Sequence, residues 1–300
     1  MNTLVVNAGS SSLKLSVLGE DDTVLAEHHA ERWHGETEPL EQFLATAPRI
    51  DAVGHRVVHG GPDFVEAQRI DGQVRAALEE LTDLAPLHQP RALAGIDAVT
   101  AVLPDIAQVA CFDTAFHATM PDFATTYALP AEWRQRWNVK RYGFHGLSHS
   151  YASRRATELA GMPDARVVSC HLGAGASLAA VRDGRSVDTT MGFTPLAGLV
   201  MASRSGDVDP GLLVWLLKAG LSVEELEDGL EHHSGLTGLT GTGDMREVRA
   251  AAESGHHDAV LALEIYTHRL RQAISAMAAS LGGVDLLVFT GGVGENDATL

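Results

Sequence analysis

The sequence predicts an α/β protein made of two domains of related design, and three observations support that fold class. First, residues 3–18, TLVVNAGSSSLKLSVL, have two apolar runs around a turn of small polar residues, which is typical of strand, turn and strand. Second, the pattern returns at 166–190, with Gly173 in the place of Gly9, about 164 positions later and so at the spacing of a domain. Third, strand-like and helix-like segments alternate between residues 50 and 113.

The turn in the first pattern is predicted to bind phosphate. A simple hairpin needs only two turn residues, whereas residues 7–12, NAGSSS, offer three hydroxyls, an amide and backbone N–H groups that can point at one place. The second pattern carries a Gly-rich turn, HLGAGAS, at the matching position. We therefore expect one such turn in each domain, with the two turns facing each other across a cleft.

Composition limits the classes of function. The 300 residues are 45% hydrophobic, which is enough for two domains with apolar cores. A formal charge of −17 argues against a nucleic-acid or anionic-membrane partner. The most prominent apolar run, LLVWLL at 212–217, is too short to span a membrane, and the first residues lack the basic segment of a secretion signal. We expect a cytoplasmic protein in which Cys111 and Cys170 are buried, reduced thiols.

Two charged residues in the first half are candidates for a site. The strand-like segment IDAVGHRVVHGG at 50–61 places Arg56 in apolar surroundings, where a guanidinium keeps its charge and needs an anion. That anion is either an internal carboxylate or a bound ligand. The segment AQVACFD at 107–113 predicts a short strand that ends on Asp113, and the carboxyl ends of strands usually carry the functional groups of open α/β sheets. The alternative role for Asp113 is to cap the following turn.

His145 and Arg204 are the candidates in the second half. His145 and His149 are four residues apart, but they lack the intervening Glu and the third ligand that a zinc site would need. His145 is flanked by glycine and phenylalanine, which indicates an imidazole held by tight backbone in a loop. Arg204 precedes a strong helix start, with Asp209 as N-cap and a proline after it, and the sequence shows no structural duty for a positive side chain there.

The last hundred residues contain further segments of interest. A capping box at Ser222 and Glu225 predicts a helix start, and a Gly-rich loop follows at 234–248. A long helix is then predicted, with one apolar face formed by Val260, Leu263, Leu270, Ile274, Met277 and Leu281. A strand at 284–289 leads into TGGVGEND, where glycines and a coming helix end favour nucleotide phosphate.

Seven motifs in this order closely resemble the acetate kinase family, within the superfamily of actin, sugar kinases and heat-shock ATPases: NAGSSSLK, GHRVVHGG, FDTAFH, YGFHG, HLGAGAS, SRSGDVDP and FTGGVGEN. The resemblance covers essentially the whole chain. It implies two duplicated ribonuclease-H-like (actin-like ATPase) domains with an interdomain cleft, assigned to residues 1–114 and 115–300. It also implies phosphorylation of acetate by ATP, with Mg²⁺ (or Mn²⁺), in a homodimer.

The same resemblance assigns roles to individual residues. Arg56 would hold the substrate carboxylate, and Asn7 would be the residue associated with the metal. Asp113, His145 and Arg204 would be catalytic, the last two by stabilising charge on the phosphoryl group, as phosphoryl transfer requires. The implied ATP-binding residues are Lys14, Ser10, Ser12, His171, Leu172, Gly173, Ala174, Gly175, Asp244, Met245, Arg246, Gly292, Val293, Gly294, Glu295 and Asn296.

The chain also departs from the family pattern. Ala174 stands where the family commonly has Asn, which removes a side-chain donor from the second turn. The family's late glutamate ligand of magnesium has no counterpart, and the helix expected after GGVGEN has only four residues left, too few for a stable helix. We expect the second domain to be incomplete at its C-terminus and these 300 residues alone to bind ATP poorly and show little kinase activity. Propionate or butyrate kinase, or a non-catalytic nucleotide-binding relative, are the alternatives.

Overall fold

The computed structural model describes residues 1–9, 12–86 and 88–299. The chain forms two compact units, Met1–Phe116 and His117–Leu300. The assignment of 1–114 and 115–300 as functional domains stays a prediction.

The first unit contains a six-stranded sheet in the order β3-β2-β1-β4-β6-β5. Its strands are β1 (Thr3–Ala8), β2 (Ser12–Leu18), β3 (Val24–Glu31), β4 (Ala52–Val57), β5 (Gln68–Arg69) and β6 (Gln108–Phe112). The predicted hairpin is confirmed, because β1 pairs antiparallel with β2, and β2 with β3. On its other side β1 runs parallel to β4, which runs parallel to β6. The carboxyl ends of β1, β4 and β6 therefore lie at one edge of the sheet.

The described residues of this unit also form the α-helices α1 (Glu38–Leu44), α2 (Gly72–Glu80) and α3 (Gln89–Val102). The side chain of Asp71 accepts hydrogen bonds from two backbone N–H groups at the start of α2, and Pro90 lies in the first turn of α3. Helix α3 carries Ile96 into one apolar cluster and Val99 into another, and so links the two cores of the unit.

The second unit repeats this arrangement. Its strands are β7 (Val167–Leu172), β8 (Ala176–Arg182), β9 (Arg185–Thr189) and β10 (Leu286–Thr290), in the order β10-β7-β8-β9. The run β7, β8, β9 is antiparallel, and β10 is parallel to β7. This matches β1, β2 and β3 with β4 beside β1. The prediction of two related α/β domains is thus confirmed by their strand order.

Nine described helices belong to the second unit. They are α4 (Asp122–Thr125), α5 (Ala131–Trp137), α6 (Gly146–Ala160), α7 (Pro210–Lys218), α8 (Val223–His232), α9 (Gly235–Thr240), α10 (Met245–Glu253), α11 (His257–Leu281) and α12 (Gly291–Asn296). The predicted cap of α7 by Asp209 is present, and so is the capping box of α8 between Ser222 and Glu225. No helix among residues 1–9, 12–86 and 88–299 is both long and apolar enough to cross a membrane.

Three local expectations were wrong. The Gly-rich stretch 234–248 is partly helical, since it contains α9 and the start of α10. Helix α12 begins at Gly291, inside the GGVGEN motif instead of after it. Helix α11 buries Ala259 and Ala262, whereas Val260 is exposed, because the small side chains face the core at this end and the large one does not.

Buried His55 gives the first unit a predictable dependence of stability on pH. Burial lowers the pKa of His55 from its ordinary 6.5 to about 4, and its Nε2 lies 2.8 Å from Oε1 of Gln108. The unfolded chain binds this proton at a higher pH than the folded chain. The contribution of neutral His55 to the free energy of unfolding is therefore fully present above about pH 6.5. It is lost as the pH falls towards 4, by up to about 3 kcal/mol.

We expect His55→Gln, which keeps a donor towards Gln108, to remove that share of the pH dependence. The measurement is the urea midpoint between pH 4 and 8, with His29→Gln on exposed β3 as the matched control. An equal slope in wild type and His55→Gln would contradict the assignment.

Candidate active site

Three neighbouring parallel strands deliver the candidate residues of the first unit. Asn7 lies near the end of β1, Arg56 near the end of β4, and Asp113 follows β6 directly. Because β4 lies between β1 and β6, Arg56 is placed between the other two side chains. The sequence motifs are far apart in the chain, and the parallel pairing brings them together.

Arg56 uses most of its guanidinium within this group. Its Nη2 donates to Oδ2 of Asp113 at 2.6 Å, its Nε lies 3.2 and 3.1 Å from the two carboxylate oxygens, and its Nη1 donates to Oδ1 of Asn7 at 3.2 Å. Burial alone would lower the pKa of Arg56, but the charge of Asp113 and its hydrogen bonds outweigh burial and raise that pKa. Arg56 is a permanent cation whose geometry is held by its neighbours.

These contacts bear on the alternatives for both residues. Arg56 has an internal carboxylate partner, which is Asp113. The carboxylate of Asp113 binds Arg56. The Asp113 side chain is only 2% exposed, whereas that of Arg56 is 30% exposed, so the pair presents the guanidinium to solvent. A guanidinium has five N–H groups, and the ion pair does not use all of them. An anion can therefore bind the exposed side of Arg56 while Asp113 holds the other.

The turn between β1 and β2 carries three further predicted residues. Lys14 pairs with Asn7 across the two strands and is exposed. The carbonyl of Ser12 accepts a hydrogen bond from Gly9 N at 2.8 Å, which closes the turn. Ser10 lies outside the residues that the structure describes.

In the second unit, His145 and Arg204 converge on the Gly-rich turn. A Cβ added to Gly175 would lie 3.4 Å from Nε2 of His145 and 3.7 Å from Nη1 of Arg204. His145 is the N-cap residue of α6 and has a left-handed backbone, at φ 56°, a conformation that only a few per cent of non-glycine residues adopt. Two nitrogen-bearing side chains thus reach the same point above the turn, an arrangement suited to an anion.

Arg204 also has a structural partner, contrary to the expectation from sequence. Its Nε lies 2.9 Å from Oε2 of Glu231, and both side chains are more than four-fifths buried. Its Nη1 lies 3.4 Å from the carbonyl of Pro195. Glu231 is 27 positions away on α8, so no local pattern could have revealed it.

A cavity of about 830 Å³ lies beside this turn within the second unit. Eight of its lining residues belong to the predicted nucleotide set: Gly173, Ala174, Asp244, Met245, Arg246, Gly292, Val293 and Asn296. Ligand pockets commonly have volumes of roughly 300–1,000 Å³, so the cavity is large enough for a nucleoside. Asp244 also caps α10, and a salt bridge with Arg246 together with backbone hydrogen bonds lowers the pKa of its carboxyl to about 2.

Five of the predicted nucleotide residues in the second unit do not line the cavity. Gly175 lies under His145, and the ring of His171 lies 4.4 Å from that of His145. Leu172 is fully buried, Gly294 packs near it, and the carboxylate of Glu295 accepts a hydrogen bond from Gly291 N at the start of α12. Glu295 thus stabilises the turn rather than facing the cavity.

Several lining residues carried no sequence signal. Arg249 on α10 and Asp297 after α12 form an ion pair, with 2.5 Å between Nε and Oδ2. The hydroxyl of Tyr266 is buried at the cavity wall and has no hydrogen-bond partner among the described residues. No group of three or more His, Cys, Asp or Glu in the described part of the chain could hold a metal ion.

Comparisons with known proteins agree on one family. The sequence matches the family described as the Acetokinase family over residues 36–300. It is 51% identical to the acetate kinase of Nostoc punctiforme over 270 residues, covering 89% of this chain and 65% of that protein. The fold is similar to crystal structures of Porphyromonas gingivalis acetate kinase, with TM-score 0.91 and 40% identity, and of a Francisella tularensis propionate kinase, with TM-score 0.93 and 38% identity. The match to the acetate kinase structure covers 98% of this chain and 84% of that protein, and the match to the propionate kinase structure covers 99% and 85%.

Gly175 offers a test of the anion site above the turn. We expect Gly175→Ala to fold normally, because the added methyl meets its neighbours at ordinary contact distances of 3.4 Å or more. The methyl would occupy the point on which His145 and Arg204 converge, and loss of one charged hydrogen bond should weaken ATP binding by at least about tenfold. Isothermal titration calorimetry measures the affinity.

The matched control is Gly229→Ala on α8, where an added Cβ meets nothing within 4 Å. Equal ATP affinity in a well-folded Gly175→Ala protein would show that phosphate does not occupy this point.

Proposed function

The chain belongs to the acetokinase family, and we propose that it catalyses the reversible, ATP-dependent phosphorylation of acetate to acetyl phosphate. It is thus a phosphotransferase with a carboxyl group as acceptor. The observation that carries the proposal is the Arg56 guanidinium, held by Asp113 on one side and 30% exposed on the other. A fixed cation of that kind suits a small carboxylate, whereas mere nucleotide binding would not need it.

On the acceptor side, this chain's residues bind and orient rather than move protons. A simple carboxylic acid is already ionised near neutral pH, as Glu is, so the attacking oxygen needs no general base. The exposed N–H groups of Arg56 would bind the carboxylate, with the planar fork matching its two oxygens. Asp113 fixes the guanidinium through three contacts of 3.2 Å or less. Its role is therefore to position Arg56 and not to abstract a proton.

On the donor side, His145 and Arg204 would stabilise the charge of the transferred group. Phosphoryl transfer spreads negative charge over the oxygens in flight, so catalysis depends on positioning and charge compensation. Both side chains approach Gly175 within 3.7 Å of one point. The cavity beside Gly173 and Ala174 would receive the nucleoside part of ATP. Ala174 supplies no side-chain donor, so backbone groups would carry that contact.

The metal ion expected for the family is compatible with Asn7 and Asp113. Both present oxygen atoms, the ligands that Mg²⁺ or Mn²⁺ prefers, and Mg²⁺ is commonly held by one or two carboxylates together with substrate phosphates and water. Their oxygens also accept hydrogen bonds from Arg56, which favours contact with the metal through water. The ion, when bound, would neutralise phosphate charge.

A propionate kinase is the second candidate, because a propionate kinase is among the similar structures at TM-score 0.93. One methylene changes transition-state binding by only about 1–3 kcal/mol, so preference between the two acids rests on a few apolar side chains.

The homodimer also stays a proposal. Exposed apolar residues on α7, including Trp215 at 62%, give a surface that a second copy could cover. A cytoplasmic location suits the free thiols Cys111 and Cys170.

The protein at its natural length should make acyl phosphate from ATP, Mg²⁺ and acetate. Hydroxylamine trapping with colorimetric detection measures the product, and propionate and butyrate are tested in parallel. A rate above background with acetate supports the proposal, and a higher kcat/KM with propionate would favour the second candidate. Background signal with all three acids, despite measurable ATP binding, would indicate a non-catalytic nucleotide-binding protein instead.

Two arginine variants should separate the acceptor role from the transition-state role. Arg204→Ala should lower kcat by about 10³ with a smaller change in ATP affinity, because its charge matters most in the transition state. Arg56→Ala should mainly raise KM for the carboxylate. Arg166→Ala, which removes an ion pair with Asp285 away from the site, is the control. The same kinetic defect in both site variants would refute this division of roles.

A further inference from the structure

A buried chain of hydrogen bonds runs behind His145. Its Nδ1 lies 2.8 Å from Oγ of Ser177 on β8, and the same Oγ lies 2.8 Å from Nε2 of His149 on α6. Nδ1 of His149 in turn lies 3.0 Å from Oγ of Ser169 on β7. We call Ser177, His149 and Ser169 the histidine–serine chain. It connects the loop that carries His145 to two strands and one helix of the second unit.

The members of the histidine–serine chain are fully buried. Ser169, Ser177 and His149 each have 0% relative exposure. Burial, followed by the neighbouring imidazoles of His117 and His171, holds the pKa of His149 well below its ordinary value. His149 is therefore neutral across the physiological range, and it can act only as a hydrogen-bond donor or acceptor. The sequence pattern gives His149 no role once a zinc site is set aside, and the histidine–serine chain supplies one.

Hydrogen counting couples the two imidazoles. The Ser177 hydroxyl has one hydrogen and lies within hydrogen-bond distance of two ring nitrogens. If it donates to one ring, it accepts from the other. A proton on Nδ1 of His145 thus requires Ser177 to donate to His149, and a bare Nδ1 is served by the reverse orientation. The histidine–serine chain therefore keeps Nδ1 of His145 hydrogen-bonded whether or not it carries a proton, and this fixes the orientation of the imidazole ring.

The opposite ring nitrogen is the one aimed at the Gly-rich turn. Nε2 of His145 approaches Gly175 together with Nη1 of Arg204. We propose that Ser177 and His149 are positioning residues for phosphoryl transfer, which act through His145 by holding its Nδ1 and directing its Nε2 to the transferred group. This inference rests on the proposed function, and it adds two residues that touch neither substrate.

The charge state of His145 depends on several groups that face it. They include the His171 ring on β7 at 4.4 Å, the His149 ring on α6 at 6.4 Å, and Arg204, which is paired with Glu231 on α8. His117 lies one step further, at 5.8 Å from His149. In addition, Ser177 forms a hydrogen bond with Nδ1 of His145. That bond can strengthen when His145 is protonated, because hydrogen bonds to charged groups are stronger than those between neutral groups.

The first experiment compares Ser177→Ala with a matched control. Ser153→Ala also removes a buried hydroxyl near His149, but that hydroxyl donates to the backbone carbonyl of His149 and not to its ring. Ser177→Ala should lower kcat about tenfold, with KM for ATP and acetate changed little, and Ser153→Ala should not. In a His145→Ala background, Ser177→Ala should cause no further loss of kcat. Additive losses would show that Ser177 acts independently of His145 and would overturn the proposal.

Two substitutions of His149 distinguish positioning from packing. His149→Gln places an amide near the position of Nε2 and can still bond Ser177, whereas His149→Asn places it near Nδ1 and faces Ser169. The Gln variant should retain most of the wild-type kcat, and the Asn variant should resemble Ser177→Ala. A higher kcat in the Asn variant than in the Gln variant, at equal thermal stability, would contradict the proposed role of the histidine–serine chain.

A spectroscopic measurement tests the inference separately from kinase activity. Histidine imidazole signals are titrated by NMR in the natural-length protein, with His145 assigned through His145→Gln. Loss of the stronger bond to the charged ring should lower the titration midpoint of His145 by about one pH unit in Ser177→Ala and leave it unchanged in Ser153→Ala. An unchanged midpoint in Ser177→Ala overturns the proposal even if the enzyme is active. If the protein lacks kinase activity but the midpoint moves, the proposed function fails while the bond to His145 stands.

Discussion

The parallel placement of β4 between β1 and β6 is the constraint on which the first unit depends. A guanidinium in a buried strand keeps its charge, so it is tolerated only where carboxylate and amide oxygens are already in place. Strand pairing supplies them, with Val57 opposite Phe112 immediately before Asp113. A shift of one residue in this register would turn Arg56 to the other face of the sheet and leave Asp113 as an unpaired buried carboxylate. The ion pair therefore helps to select the register, and the register creates the exposed side of the guanidinium.

The two units share strand order but use their turns differently. In the first unit the strands themselves carry the polar groups, since Asn7 and Lys14 lie opposite each other on β1 and β2. In the second unit the equivalent turn consists of glycine and alanine, and His145 and Arg204 approach it from segments outside the repeat. Glycine at 175 leaves the point on which they converge open, because a side chain there would occupy it. Duplication thus accounts for the scaffold of the second unit, and segments before and after the repeated strands account for its charges.

Local elements were predictable from sequence, whereas long-range partners were not. The hairpins, the Asp209 cap and the Ser222 capping box follow from residues within a few positions of each other, so pattern and propensity suffice. Glu231 and Ser177 lie 27 and 32 positions from the residues they hold, and neither has an unusual neighbourhood in the sequence. The apolar pattern places Val260 on the buried face of α11, whereas Ala259 and Ala262 pack there, because hydrophobic periodicity favours large apolar residues over alanines.

The charges around the candidate site follow one rule that also bears on the metal. Arg56, Arg204, Arg246 and Arg249 each form an ion pair with a carboxylate. In a protein with a net charge of −17, these pairs fix the geometry of the guanidinium groups but leave little net positive charge around each of them. A triphosphate carries several negative charges, so hydrogen bonds from paired arginines orient it better than they neutralise it. The divalent metal of the proposed function would supply the remaining charge compensation, because these arginines are already paired with carboxylates.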